Sequence, residues 1–438
     1  MSKPKTRYIL IFALIVLLQV VSLFSSGNSF DTSATEGIDK SDTAWMIVAT
    51  AFVLFMTPGL SFFYGGMVSY KNVISTMLQS FIALGVISLL WYLVGFSLAF
   101  GESYHGLIGN PLTFFSFNNV GLAPNPNFSA TIPFLIFALF QLKFAIITPA
   151  LITGSFAERV KFTSYLIFMC LFSLFIYTPL AHWTWHPEGF LRQWGVLDFA
   201  GGTVVHMSAG FAALAGAYVL GKRESKNHQP ANIPFIILGT GMLWFGWFGF
   251  NAGSALAADG LAVQAFATTN MASASAMITW VMFDALVGRR ISAMGACIGA
   301  VVGLVAITPA AGFVTLGQSV FIGFVAAIVS NLAVYYKQRT SLDDTLDVFP
   351  CHGVGGIVGM ILTGVFAAEV GLIHGDPTTF LYHLLAMVIV GAFTFFGSLL
   401  IFKITSSITK LRVTREEESI GLDISQHAET LSVVPSNN

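Results

Sequence analysis

Long, almost uncharged apolar runs recur from end to end of this sequence, and they leave few folds open. About 20 consecutive apolar residues span a bilayer as a helix, and backbone groups in hydrocarbon must find partners within the segment or in a closed barrel. Segments of this length read as helices. Their cores fall at residues 43–67, 73–100, 131–154, 162–181, 199–220, 232–256, 266–287, 291–309, 316–336, 348–368 and 380–403, eleven spans in all. Charged residues make up 9% of the 438. An average soluble protein carries about 25%, so there are too few here to clothe a soluble surface. A net charge of −1 gives no electrostatic footprint for nucleic acid. The fold class is read as an all-α polytopic membrane protein with eleven transmembrane helices.

Residues 1–30 have the pattern of a signal peptide: Lys3, Lys5 and Arg7, an apolar stretch from Ile9 to Leu23, then Ser25, Ser26 and Gly27. An uncleaved first span is the other reading. The transmembrane domain covers residues 42–405 and a cytoplasmic regulatory tail residues 406–438. Fourteen Lys and Arg residues, from Lys71 through Arg159, Arg223, Arg289 and Lys337 to Arg415, fall on one side of the spans, against Lys40 and Arg192 on the other. Positive loops stay on the cytoplasmic side. The mature N-terminus is therefore expected outside and the tail inside, in the inner (cytoplasmic) membrane. Spans 1–5 and 6–10 are candidate halves, with an eleventh helix after them. A five-span unit repeated once must be inverted, and the echo is His206 followed by Ala209-Gly210 against His352 followed by Gly355-Gly356. Glycines within spans read mostly as sites of close helix packing. Cys170, Cys297 and Cys351 have neither a disulfide framework nor metal-ligand spacing, and no cofactor motif is present.

Ionisable side chains inside a membrane are expensive and default to a functional reading. His206 and His352 lie at similar depth in spans 5 and 10. Either alone is open to a bland reading as a hydrogen-bonded core residue; the pair is harder to dismiss. Neutral imidazole has one donor and one acceptor nitrogen, so two facing rings can share a proton and still present a hydrogen-bonding edge to a narrow lumen. Asp198, eight residues before His206, reads as a helix N-cap and also as a source of negative potential at the outer mouth. Lys143 lies about 100° off the face shared by Phe140 and Phe144. It reads as buried against another helix or subunit, since a pore-facing Lys would repel a cation. Aromatic residues make up 14% of the chain. Phe140 and Phe144 share a helix face, Trp244, Trp247 and Phe250 recur on span 6, and Trp183 and Trp185 lie at the outer end of span 4; most such residues are packing or interfacial belt, but a few together can hold a cation against their ring faces. Cys351-His352 is no nucleophile–base pair, because adjacent helical residues point about 100° apart and no third group orients them. An enzyme is not indicated.

These motifs together resemble the ammonium transporter family, which comprises the Amt, methylammonium permease and Rhesus proteins. The resemblance rests on Thr57-Pro58-Gly59 through Tyr64-Gly65-Gly66-Met67, Phe140-Gln141 through Ala157-Glu158-Arg159, Asp198 through Gly201-Gly202-Thr203 to His206, Trp247 through Asn251 to Ser254, Asp347-Val348-Phe349 with His352-Gly353-Val354, and Gly421-Leu422-Asp423 in the tail. It covers about residues 42–430. It implies eleven helices with two inverted halves of five, a homotrimer with one pore per subunit, and ammonium or methylammonium as substrate. Carried over by motif, it implies an outer recruitment site of Trp185, Phe140 and Ser254, with Asp198 shaping the vestibule. It implies stacked gates at Phe144 and Phe250, pore imidazoles at His206 and His352, and an inner lining of Leu60, Phe63, Tyr64 and Val348. It leaves open whether the tail docks a PII-type regulatory protein.

Ammonium and potassium share size and charge, but only ammonium donates hydrogen bonds and can give up a proton. Carrying an intact cation through an apolar lumen costs several kcal/mol. The expected mechanism is recruitment, loss of a proton near the gates, passage of ammonia along the two histidines and reprotonation inside, with the proton also crossing so that uptake is electrogenic. An ammonium sensor (transceptor) using the tail and a neutral ammonia gas channel are the rival readings.

Overall fold

The computed structural model describes residues 36–224 and 229–431, together with residues 12, 13, 15–17 and 20. The signal peptide expected over residues 1–30 lies almost wholly outside the described residues. The apolar stretches fold as helices: α1 (Lys40–Met67), α2 (Tyr70–Phe100), α3 (Phe134–Ser155), α4 (Phe162–Gln193), α5 (Gly202–Leu220), α6 (Ile233–Ala255), α7 (Gly260–Leu286), α8 (Ala293–Ile307), α9 (Leu316–Gln338), α10 (Phe349–Phe366) and α11 (Thr378–Ile408). Among the described residues, nine helices, all but α7 and α8, are long and apolar enough to cross a membrane. The 27-residue α7 carries Thr268, Thr269, Asn270, Ser273 and Ser275, and the apolar α8 has 15 residues. Sheet structure among the described residues is confined to two small hairpins between α2 and α3: Ser103–Tyr104 with Ile108–Gly109, and Pro124–Asn125 with Ser129–Pro133.

Small residues let the helices approach backbone to backbone. α1 and α6 pack along their length, and a Cβ added at Gly239 would lie 2.3 Å from the Phe63 backbone nitrogen. α5 and α10 touch at Gly210, where a Cβ would lie 2.2 Å from Gly353 N and 2.3 Å from Gly353 Cα. These are the close contacts that in-span glycines were expected to make. Both α5 and α10 open in a π-helical turn, Gly202–Met207 and Phe349–Val354. Such wide turns are rare and frequent at functional sites.

The tail folds back onto the basic end of the bundle. Val160 pairs with Arg412 in an antiparallel bridge, and Thr414 and Glu417 form a capping box that starts the short α12 (Arg415–Ile420). The Asp423 carboxylate then accepts from the backbone N–H groups of Ile74 (3.1 Å) and Ser75 (2.8 Å), so the tail caps the start of α2.

Candidate functional site

A free carboxylate placed before a helix is drawn to the unpaired N–H groups of its first turn. Asp198 is 7% exposed, and its two oxygens accept from Gly201 N (2.8 Å), Gly202 N (2.6 Å), Thr203 N (2.7 Å) and Thr203 Oγ1 (2.5 Å). The N-cap reading of this residue therefore holds in full. At α10 the same device recurs: Asp344 accepts from Val348 N (3.1 Å) and Phe349 N (2.8 Å). Asp344 precedes His352 by eight residues, as Asp198 precedes His206. Sequence reasoning missed Asp344, although that repeated spacing was there to find.

The two capped π-turns bring the histidines together. His206 and His352 are 1% and 4% exposed, with ring centroids 5.5 Å apart and Nδ1–Nδ1 at 3.3 Å. Trp247 stacks on His206 from the α6 side at 5.3 Å. The protons can be assigned by donor count. The Thr308 hydroxyl donates to Leu304 O (2.7 Å) and accepts from Trp247 Nε1 (2.9 Å). Its contact with His206 Nε2 at 3.3 Å therefore needs the proton on the ring. A neutral His206 then has Nδ1 as acceptor, and His352 Nδ1 must donate to it. Thr308 was also missed, because a threonine in an apolar span carries no signal until α6 and α5 are folded around it.

Above the histidines, Phe144 and Phe250 lie 4.2 Å apart between centroids, and Phe250 is 6.0 Å from His206. Phe140 meets Phe144 edge-on at 5.0 Å, and Trp185 meets it at 5.7 Å. A cavity of about 350 Å³ opens on the far side of this pair, and Phe140, Trp185, Asp198, Ser254 and Phe144 all line it. Ser254 Oγ donates to Phe250 O (2.9 Å), leaving its oxygen to accept. Trp185 Nε1 donates to Asp198 O (3.2 Å). A small cavity of about 10 Å³, room for about one water molecule, lies against His352 and is lined by Phe63 and Tyr64. Leu60 and Val348, each 1% exposed, do not line it. Lys143 is half-buried, lines neither cavity, and its side chain makes no hydrogen bond or ion pair among the described residues.

At the basic end, Arg223 binds Glu158 (2.9 Å) and Asp343 (3.0 Å) with all three side chains nearly buried. Burial would raise the Asp343 carboxyl, but the hydrogen bonds and charge of Arg223 outweigh it and hold it at about 2. Burial pushes the neighbouring Arg159 guanidinium down to about 10. No group of three or more His, Cys, Asp or Glu side chains is placed to hold a metal among the described residues.

The sequence profile described as Ammonium Transporter Family matches residues 44–431. An ammonium transporter of Aquifex aeolicus is 43% identical over 417 residues, covering 94% of this chain and 97% of its own. One from Bacillus subtilis is 43% identical over 397 residues, 89% of this chain and 97% of its own. The crystal structure of Saccharomyces cerevisiae Mep2 superposes with a TM-score of 0.83 at 35% identity, covering 90% and 91% of the two chains. A structure described as a sensor Amt protein gives 0.82 at 33% identity, covering 89% and 98%.

Proposed function

The chain belongs to the ammonium transporter family, and from that premise we propose that it carries ammonium inward across the cytoplasmic membrane by shedding and restoring a proton. The observation that carries this reading is one line of contacts. It runs from the 350 Å³ cavity through Phe144 and Phe250 to His206, His352 and the small cavity beyond. Phe140 and Trp185 offer ring faces to the cation, and Ser254 offers an acceptor oxygen. Phe144 and Phe250 leave no open space for a hydrated ion. Beyond them an intact cation would meet apolar walls at a cost of several kcal/mol, whereas uncharged ammonia can pass and donate to His352 Nε2, the one ring nitrogen of the pair that the donor count leaves as a free acceptor. Asp198 holds the turn that carries His206, and Asp344 does the same for His352.

In this reading α7 and α8 also cross, giving eleven transmembrane helices, with α1–α5 and α6–α10 as inverted halves. The pairings of α1 with α6 and α5 with α10, and the Asp–His spacing of eight in both halves, support it. The basic end is cytoplasmic, three copies form a homotrimer, and the packed tail is the place where a PII-type partner would act. Residues 1–30 act as a cleaved signal peptide. Proteoliposome currents on adding ammonium test the proton's part: a sustained inward current is expected, while ammonia flux with no charge movement would make this a neutral gas channel. A sensor is the second reading, favoured by the likeness to the sensor Amt protein and by the tail docked on α2. Growth rescue of a transporter-deficient strain on low ammonium is expected from a transporter and not from a dedicated sensor.

A further inference from the structure

The outward faces of two helices each carry a polar side chain that the pore does not use. On α3 the residues that are not buried are Leu135, Ile136, Leu139 and Lys143, one stripe at helical spacing. On α7 a similar stripe of exposed residues runs through Val263, Phe266 and Asn270. Neither the Lys143 nor the Asn270 side chain makes a hydrogen bond or ion pair among the described residues. Asn270 is also the one exposed polar side chain, among the described residues of α1–α11, that lies more than two turns from either end of its helix. Lys143 is nine residues from the outer end of α3 and twelve from the inner, about 14 and 18 Å at 1.5 Å per residue, farther than a lysine side chain extends. The two residues share one depth, that of the gate. Asn270 follows Thr269, whose hydroxyl accepts from Asn251 Nδ2 (2.9 Å); Asn251 follows Phe250, which lies 4.2 Å from Phe144, the neighbour of Lys143.

We propose that these side chains meet across the subunit boundary, Lys143 of one copy donating to the Asn270 carbonyl oxygen of the next. The inference rests on the homotrimer reading. A lysine ammonium has three donors and no acceptor, and a carboxamide oxygen is the acceptor it lacks. Lipid tails offer a partner to neither, and a charged group at this depth that finds none is costly. Their common depth lets the two stripes face each other without shifting one subunit along the membrane normal. The contact joins different faces of two copies, so it is head-to-tail, and a head-to-tail contact closes into a ring when three copies complete the rotation. Each copy then gives its Lys143 to one neighbour and its Asn270 to the other. The bond ties α3, which carries Phe140 and Phe144, to α7 of the adjoining copy, so the helix bearing one gate ring is braced by the next subunit.

The test cross-links the full-length protein in detergent, alongside its native mass. Lys143→Cys, Asn270→Cys and the double variant carry thiols at the two positions. A lysine reaches farther than a disulfide, which spans Cα atoms about 7 Å apart at most, so the thiols are joined with a short bis-methanethiosulfonate. The double variant is expected to run as a covalent trimer on a denaturing gel, because each copy offers one thiol to each neighbour, and both single variants as monomers. In a second measurement, Asn270→Leu strips the ammonium of its acceptor and is expected to raise the concentration at which the trimer dissociates about tenfold, while Lys143→Met/Asn270→Leu removes both groups and should return to within about threefold of wild type. No cross-link, or covalent dimers only, in a protein of trimeric native mass would overturn the contact and leave the homotrimer standing, as would wild-type dissociation of Asn270→Leu. A wild type that is monomeric by native mass would bring down the homotrimer reading and the contact with it.

Discussion

Gly210→Ala is a one-carbon change that reaches the histidine pair without touching either ring. The added Cβ would lie 2.2 Å from Gly353 N and 2.3 Å from Gly353 Cα. Both obstacles are backbone, so no rotamer can move aside. Ordinary contact needs about 3.4 Å or more, which forces α5 and α10 apart by about 1.2 Å at this point. Gly210 is one turn from His206 on the same face, and Gly353 is the neighbour of His352. The separation therefore passes to the rings, whose 3.3 Å Nδ1–Nδ1 contact has no slack before it ceases to be a hydrogen bond. Overpacking costs about 1–3 kcal/mol, and a buried nitrogen left without a partner costs about 1–3 kcal/mol more. A total loss of about 3 kcal/mol is expected in thermal unfolding of the detergent-purified protein. In proteoliposomes, ammonium transport should fall and its preference over potassium should weaken. Wild-type stability with wild-type selectivity in Gly210→Ala would refute the claim that the glycine contact sets the spacing of the imidazoles.

Thr308→Val keeps the side-chain shape but leaves Trp247 Nε1 without its acceptor and frees the proton position on His206. A stability loss of about 2 kcal/mol is expected, with Thr308→Ser close to wild type; an unperturbed Thr308→Val in the same unfolding assay would contradict the donor count. Asp343→Asn should destabilise the basic end by about 3 kcal/mol, the low end for a buried pair that loses one partner, because Glu158 still holds Arg223. The Asp343 carboxyl lies at about 2 in the folded protein, against an ordinary 3.8, so its contribution is complete above about pH 4 and is lost as pH falls toward 2. Unfolding curves of wild type and Asp343→Asn should accordingly converge across that window, and a gap that stays constant to pH 2 would contradict the assignment.

Hydropathy located the helices because a bilayer demands apolar length, a property readable residue by residue. It placed α7 at 266–287, whereas the helix begins at Gly260, because Gly260 and Gln264 dilute the apolar signal of its first turns. The aromatic and histidine positions were legible for a similar reason: an imidazole in an apolar run is conspicuous. Neither π-turn was legible, since hydropathy averages over a turn and cannot see its width. Asp344 stood just outside an apolar core and so escaped attention, though it is the counterpart of Asp198. Thr308 is an ordinary residue in a membrane helix, and its meaning arises only when the fold places it against Trp247 and His206.

The central claim is that a dry passage sorts solutes by whether they can give up their charge. Paired currents from proteoliposomes holding wild type or His206→Ala, with ammonium and then potassium as the only permeant cation, test it most directly. Ammonium current without potassium current is expected in wild type, and loss of that discrimination when the His206 ring is replaced by space for water. Potassium current through the wild type, or undiminished selectivity in His206→Ala, would contradict it.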